Sequence, residues 1–147
     1  MLYGRYPATV DVKGRLKFPA AVRPDLDQAY GPDFFVTSVD KGQSVRVYPL
    51  PVWKAIAEKL MQPPSFNTAK QRLLEQINYW GQVVRIDGQG RILIPSLLRD
   101  PAAMRGEVAV LGKLNHIDVW NGERLREHIE SGPLTDEDRE KLDSMGI

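Results

Sequence analysis

The sequence predicts a mainly β chain with flanking helices, built from two copies of one small unit that fold together. Three observations lead there. First, Asp11-Val12-Lys13-Gly14-Arg15-Leu16-Lys17-Phe18-Pro19 returns as Asp87-Gly88-Gln89-Gly90-Arg91-Ile92-Leu93-Ile94-Pro95. Asp, Gly, Arg and Pro recur at the same spacing, 76 residues apart, and Arg23 and Arg99 keep that offset. Second, Val36-Thr37-Ser38-Val39 and Val45-Arg46-Val47-Tyr48 find counterparts 72 residues on, in Val108-Ala109-Val110-Leu111 and Ile117-Asp118-Val119-Trp120. Third, the runs around each motif are β-rich and separated by a Gly-containing turn, which is a hairpin signal. An internal repeat defines the folding unit. A unit of roughly 45 residues is short of core on its own, so the two copies must pack together or against other chains.

The elements follow in order. Tyr6 to Val10 leads into the first turn and Leu16 to Phe18 leads out. Gln82 to Ile86 and Arg91 to Ile94 frame the second turn. Gly14 and Gly90 fall where a three-residue hairpin loop requires positive φ. Asp11 and Asp87 are placed to accept turn N–H groups. Pro19 and Pro95 suit the first turn of a helix, which predicts short helices over Ala20–Leu26 and Ser96–Ala103, limited by Pro24 and Pro101. The change of offset from 76 to 72 puts four extra residues in the first copy, expected as a surface loop within Asp25 to Phe35. Asp40 to Gln43 and Lys113 to Asn115 are the matching later turns. Pro51 to Met61 reads as a helix with Trp53, Ile56, Ala57 and Leu60 on one face, and Gly122 to Ile129 as its counterpart. Gln62-Pro63-Pro64-Ser65 breaks the chain between the copies. Thr68 to Tyr79 is a further amphipathic helix with Ala69, Leu73, Gln76 and Ile77 near one face. After Ser131-Gly132-Pro133 comes an acidic tail, helical or disordered, with Thr135 as N-cap.

Composition narrows the function classes. The 147 residues are 42% hydrophobic and carry a net charge of +1. That balance hides a basic start (Arg5, Lys13, Arg15, Lys17 and Arg23 against Asp11) and an acidic end from Asp136 to Asp143. There is no cysteine, which excludes disulfides and thiolate metal sites. Met1 to Arg5 has no apolar run behind it, so neither a secretory signal nor a membrane span is expected and the simplest address is the cytoplasm. His116 and His128 lack ligand spacing and read as ordinary surface or edge residues. The turn Asp87-Gly88-Gln89-Gly90 has no following Lys-Ser/Thr, so it is no nucleotide cradle. Asp11 and Asp87 each stand four residues before an arginine, and a salt-bridged carboxylate is a poor proton-transfer group. No catalytic site, metal or cofactor is expected. Tyr48, Trp53, Trp80 and Trp120 read as core rather than as a stacking platform, with Trp80 also able to meet a neighbouring chain.

The repeated turn is the candidate site. Asp and Gly have local reasons to stand there, and an Asp–Arg pair is a structural reading of the motif. It explains the arginines less well. Arg15 and Arg91 emerge from tight turns, exposed and fixed in direction, and a guanidinium fork matches a phosphate or the O6/N7 edge of guanine. Lys13 and Lys17 add phosphate contacts in the first copy. Gln89 and Leu93 replace them in the second, which should be the electrostatically weaker reader, with Arg85 and Arg99 as partial compensation.

The doubled Asp-x-x-Gly-Arg-x-x-x-Pro phrase, with Ile117-Asp118-Val119-Trp120 closing the second copy, resembles the MraZ family of bacterial transcriptional regulators. The resemblance runs from about Leu2 to Ile129, with Gly81, Arg85 and the acidic tail departing from the family pattern. It implies a SpoVT–AbrB type fold, in which two pseudo-symmetric swapped-hairpin units close into a small β-barrel. It divides the chain into a first repeat over residues 5–52, a helical linker over 53–80, a second repeat over 81–124, and a C-terminal helix and acidic tail over 125–147. It also implies double-stranded DNA as partner, bound at repeated promoter sites near the division and cell-wall gene cluster. The assembly would be a ring, octamer or dodecamer, in the cytoplasm at the nucleoid. Arg15 and Arg91 would be the readers, Lys13 and Lys17 phosphate contacts, and Asp11 and Asp87 orienters. The alternative is a non-catalytic oligomeric interaction module whose basic turns face acidic protein surfaces.

Overall fold

Swapped pairing between the two copies organises the sheet. The computed structural model describes residues 1–63 and 67–147. The first copy contributes β1 (Arg5–Val10), β2 (Arg15–Lys17), α1 (Arg23–Ala29), β3 (Asp33–Thr37), β4 (Val45–Pro49) and α2 (Leu50–Leu60). After α3 (Thr68–Trp80), the second copy contributes β5 (Gln82–Arg85), β6 (Arg91–Leu93), α4 (Ser96–Ala102), β7 (Gly106–Gly112), β8 (Ile117–Asn121) and α5 (Gly122–Ser131), and α6 (Asp136–Asp143) follows. The strand order is β5-β3-β4-β8-β7-β1-β2-β6, antiparallel throughout. Each copy's first strand pairs with the other copy's third: β1 with β7 over six residues, and β5 with β3 over four. At the ends of that order the Asp87 amide donates to the Arg91 carbonyl at 2.9 Å, as the Asp11 amide does to Arg15 at 3.0 Å. The eight strands therefore form a nearly closed barrel.

Register identifies the pseudo-twofold axis. Leu16 faces Ile92 on β2–β6, and Arg46 faces Asp118 on β4–β8. Each pair consists of equivalent positions of the two copies, so the axis enters the barrel at one pair and leaves at the other. Period-2 alternation sends Leu16 and Ile92 inward, where both are 0% exposed, to join Phe18, Ile94, Val36, Val110 and Leu98 in one core shared by the two copies. Phe18 meets Phe34 edge-on with ring centroids 5.1 Å apart. Truncating a residue so placed, such as Leu16, costs about 2–5 kcal/mol.

The helices correct several expectations. The first short helix starts at Arg23, not Ala20, because Pro24 is tolerated only in a first turn. Ala20 to Val22 form a turn ahead of it. The loop expected within Asp25 to Phe35 is instead mostly helix α1 and strand β3. Pro95 caps α4 from outside rather than occupying its first turn, and Pro101 sits inside that helix. Strand β3 ends at Thr37; Ser38 leaves it to bond Asp40, whose carboxylate organises the turn to Ser44. In α2, Leu50, Val52, Trp53 and Ile56 pack against Phe35, Tyr48 and Ile77. In α3 only Ile77 is buried; Ala69, Leu73 and Gln76 are exposed. Tyr48 and Trp120 are buried, and Trp53 and Trp80 pack against core clusters. The tail is helical: Thr135 and Asp138 form a reciprocal capping box at the start of α6. Pro64 and Ser65 of the expected break lie outside the described residues.

Candidate nucleic-acid interface

The two turns are built alike from local chemistry. In the first, the Gly14 amide donates to the Asp11 carbonyl at 2.9 Å, and Gly14 has φ +84°. Asp11 Oδ1 accepts from the amides of Lys13 (3.0 Å) and Arg15 (2.9 Å), and Oδ2 accepts from Arg15 Nε at 2.8 Å. In the second, Gly90 has φ +78°, Asp87 Oδ1 accepts from Gln89 (2.8 Å) and Arg91 (3.0 Å), and Oδ2 accepts from Arg91 Nε at 2.9 Å. One carboxylate thus fixes both the loop and the arginine that leaves it. The Arg15 amide, helped by its guanidinium and the Lys13 amide, holds the Asp11 carboxyl below the usual carboxylate range despite some burial. Around Asp87 partial burial opposes ionisation, but the Arg91 and Gln89 amides and the Arg91 guanidinium outweigh it, so its carboxyl is also lowered.

The pairing of β2 with β6 joins the turns into one face. Arg15 stands opposite Leu93, and Lys17 opposite Arg91. With Leu16 and Ile92 inward, these four side chains share the outer side of the ribbon. The two arginines are diagonal neighbours, with Cα atoms about 7–8 Å apart by standard ladder geometry. Neither is freely exposed as expected: the side chains are 31% accessible for Arg15 and 22% for Arg91. Each guanidinium is tied through Nε. Among the described residues, the Nη atoms of both donate no hydrogen bond to the protein, so one edge of each fork is left for a ligand. Lys13 and Lys17 are exposed.

Register also bears on the expected imbalance between the copies. Arg15 has Lys13 in its own turn and Leu93 across the ribbon. Arg91 has Gln89 in its turn, but the first copy delivers Lys17 directly opposite. Arg15 therefore has Lys13 and Lys17 two residues to either side in its own chain segment, and Arg91 has Lys17 across the ribbon. The compensation expected from Arg85 and Arg99 does not occur. Arg85 forms a two-pronged pair with Asp33 across β3–β5, at 2.9 and 3.2 Å. Arg99 lies over the first turn and donates to the Lys13 carbonyl at 3.1 Å. Gly81, one of the departures from the family pattern, is explained by packing: a Cβ there would fall 2.4 Å from Phe35.

Sequence reasoning missed the other end of the axis. Arg46 Nε donates to Asp118 Oδ1 at 2.9 Å and Nη2 to Oδ2 at 3.4 Å, with Lys113 Nζ 3.5 Å from Oδ2. The signal was available, since equivalent positions of the repeat carry opposite charges. His116, expected at the surface, is half-buried beside this pair with its ring 5.0 Å from Tyr48, and burial pushes its pKa down to about 4 with help from Arg46 and Lys113. His128 is exposed and stacks on Trp120. Among the described residues no cluster of three or more His, Asp or Glu has metal-site geometry, and no helix is long and apolar enough to cross a membrane.

A barrel of two swapped hairpin units, with both copies in one chain and a paired arginine ribbon on the axis, is the SpoVT–AbrB architecture in its tandem form. The family model described as "MraZ protein, putative antitoxin-like" matches residues 82–143. A transcriptional regulator MraZ of Koribacter versatilis is 45% identical over 148 residues, and one of Acidobacterium capsulatum 42% over 147, each covering the whole of both chains. One of Heliobacterium modesticaldum is 35% identical over 144 residues, 97% of this chain and 96% of its own. The chain belongs to the MraZ family of transcriptional regulators.

Proposed function

We propose that this protein is a sequence-specific DNA-binding regulator without enzymatic activity, acting at repeated promoter sites of the division and cell-wall gene cluster. The observation that carries the reading is the outer face of β2–β6. Lys17 and Arg91 stand directly opposite each other on it, with Arg15 beside them. Like charges so opposed destabilise a sheet, and an anionic ligand relieves the conflict. A major groove about 12 Å wide admits a two-stranded β-ribbon. In that position the free Nη edges of Arg15 and Arg91 meet guanine O6 and N7, each good pair giving about 1–3 kcal/mol of discrimination. Lys13 and Lys17 neutralise phosphates. Asp11 and Asp87 hold the arginines in one orientation before DNA arrives, so less side-chain entropy is lost on binding.

One ribbon makes few contacts, and linked ribbons on a ring would raise avidity by about 10²–10⁴ on tandem sites. An unfilled seat supports association. In the first copy α3 covers β3, with Thr37 Oγ1 donating to the Ile77 carbonyl at 2.7 Å. The equivalent face of the second copy is an open groove lined by Pro7, Thr9, Glu107, Ala109 and Gly122. A surface of one chain that fits a different surface of the next generates a closed ring when the rotation closes. The site of action would be the nucleoid in the cytoplasm.

The test is a fluorescence titration of a duplex from upstream of that gene cluster against a scrambled duplex, at two salt concentrations, with native mass of the complex. The reading predicts preference for the upstream duplex, affinity that falls steeply with salt, and ring-sized particles. Equal affinity for both duplexes would reduce the role to generic electrostatics. No affinity for either would assign the basic face to an acidic protein partner.

A further inference from the structure

The arginine pair Arg23 and Arg99 repeats with the motif, yet both stand on helices, off the β2–β6 ribbon. Each lies over the turn of the other copy. Gly14 has no side chain, and a Cβ placed there would fall 1.2 Å from Arg99 Nη1; one placed on Gly90 would fall 2.0 Å from Arg23 Nη1. The two guanidinium groups thus occupy the space that the two glycines leave open. Arg99 Nη1 also donates to the Lys13 carbonyl at 3.1 Å. Arg23 leans on Asp27 through Nη2 at 3.3 Å, and its Nε is buried with no partner among the described residues. The carbonyls of the same glycines are held from the opposite copy as well: the Ile94 amide donates to Gly14 at 2.8 Å and the Phe18 amide to Gly90 at 3.0 Å. Each turn is therefore bracketed on two sides by the copy to which it does not belong.

We propose that Arg99 is the positioning residue for the first turn and its Arg15, and Arg23 the positioning residue for the second turn and its Arg91, each acting across the pseudo-twofold axis. A planar guanidinium seated against a glycine fixes where the loop runs, and the loop fixes the Asp carboxylate that aims the reading arginine. Glycine at these sites thus has a second function beyond positive φ: it is the socket for the other copy's arginine. Arg99 adds a hydrogen bond to the turn that Arg23 does not match, so the first turn is the more firmly held of the two.

Amide hydrogen exchange on the full chain tests this without DNA. Arg99→Ala should speed exchange at Lys13, Gly14 and Arg15 by at least about fivefold, the loss of roughly one hydrogen bond, and leave Gln89, Gly90 and Arg91 unchanged. Arg23→Ala should do the reverse. Arg99→Met, which keeps the stem and removes the fork, provides the same comparison should the alanine variant fold poorly. Acceleration in both turns alike, or in neither, overturns the inference.

A double-mutant cycle on duplex binding extends the test and rests on the DNA-reading role proposed above. Arg99→Ala should weaken binding in the parent and in Arg91→Ala, change it less than twofold in Arg15→Ala, and leave the salt dependence as steep as before. Equal effects in both backgrounds, with a slope reduced by about one, would make Arg99 a phosphate contact instead. Should the protein bind no duplex at all, the reading role fails while the exchange pattern still decides the positioning role.

Discussion

The pseudo-twofold axis meets the barrel surface in two places of opposite character. At one end Leu16 and Ile92 are interchangeable apolar residues, and the side chains around them (Arg15, Lys17, Arg91) are cationic from both copies. At the other end the equivalent positions are Arg46 and Asp118, a mostly buried ion pair. A homodimer places identical residues at equivalent positions on its axis, so an Arg–Asp pair there requires two different copies. The difference teaches what carrying both copies in one chain allows. The ribbon end keeps the aspartate, glycine and arginine of the repeat alike, in line with the role proposed for both turns. The far end lets it diverge, and the divergence favours pairing of unlike copies.

Four expected outcomes sharpen or break that contrast. The largest is at the far end. Asp118→Arg would put two cations at the axis and lower stability by about 3–5 kcal/mol, the usual cost of breaking a buried pair, measured by urea denaturation. The exchanged pair Arg46→Asp/Asp118→Arg should recover much of it. Next, Arg15→Ala or Arg91→Ala should each weaken duplex binding by about 1–3 kcal/mol in a titration, with the urea midpoint little changed. Third, Lys17→Leu should flatten the slope of log affinity against log salt by about one, and Leu93→Lys steepen it by a similar amount, since both positions lie on the same ribbon face.

The smallest effects are in pH, and they share a sign but fall in different windows at the two ends. Asp11 and Asp87 have lowered folded-state pKa values, so their contribution is complete above the ordinary carboxylate range and is lost only as pH falls through the lowered values. Duplex affinity should therefore be flat from about pH 8 to 5, the window in which those carboxylates stay ionised. His116 acts in the same direction at higher pH. Its folded pKa of about 4 lies below the ordinary 6.5. The unfolded chain binds more protons between those values, so stability should fall as pH drops from 6.5 towards 4. A urea midpoint that follows this trend in the parent and flattens in His116→Phe would locate the effect.

What the sequence made legible was local. The glycines at positive φ, the carboxylates accepting turn amides and most helix positions all follow from residues within about five places of one another. Pro24 contained the true start of α1, since proline belongs in a first turn, but Pro19 suggested an earlier one. What stayed hidden was pairing across long separations. Nothing near Lys17 indicates that it stands beside Arg91, or that Arg99 seats on Gly14 rather than assisting its own turn. The exposure of α3 was hidden for the same reason. Its apolar spacing gives a face, and only the sheet's edge decides how much of that face is covered. Strand register converts local chemistry into a site, and register is set by which copy supplies each neighbour.

The most direct test follows the arginine side chains themselves, by the Nε–H resonances of isotope-labelled protein as duplex is added. Arg15 and Arg91 should move together and saturate at the same duplex concentration, while Arg46, held by Asp118 at the far end of the axis, stays in place. A bound duplex that leaves both Arg15 and Arg91 unshifted would contradict the account.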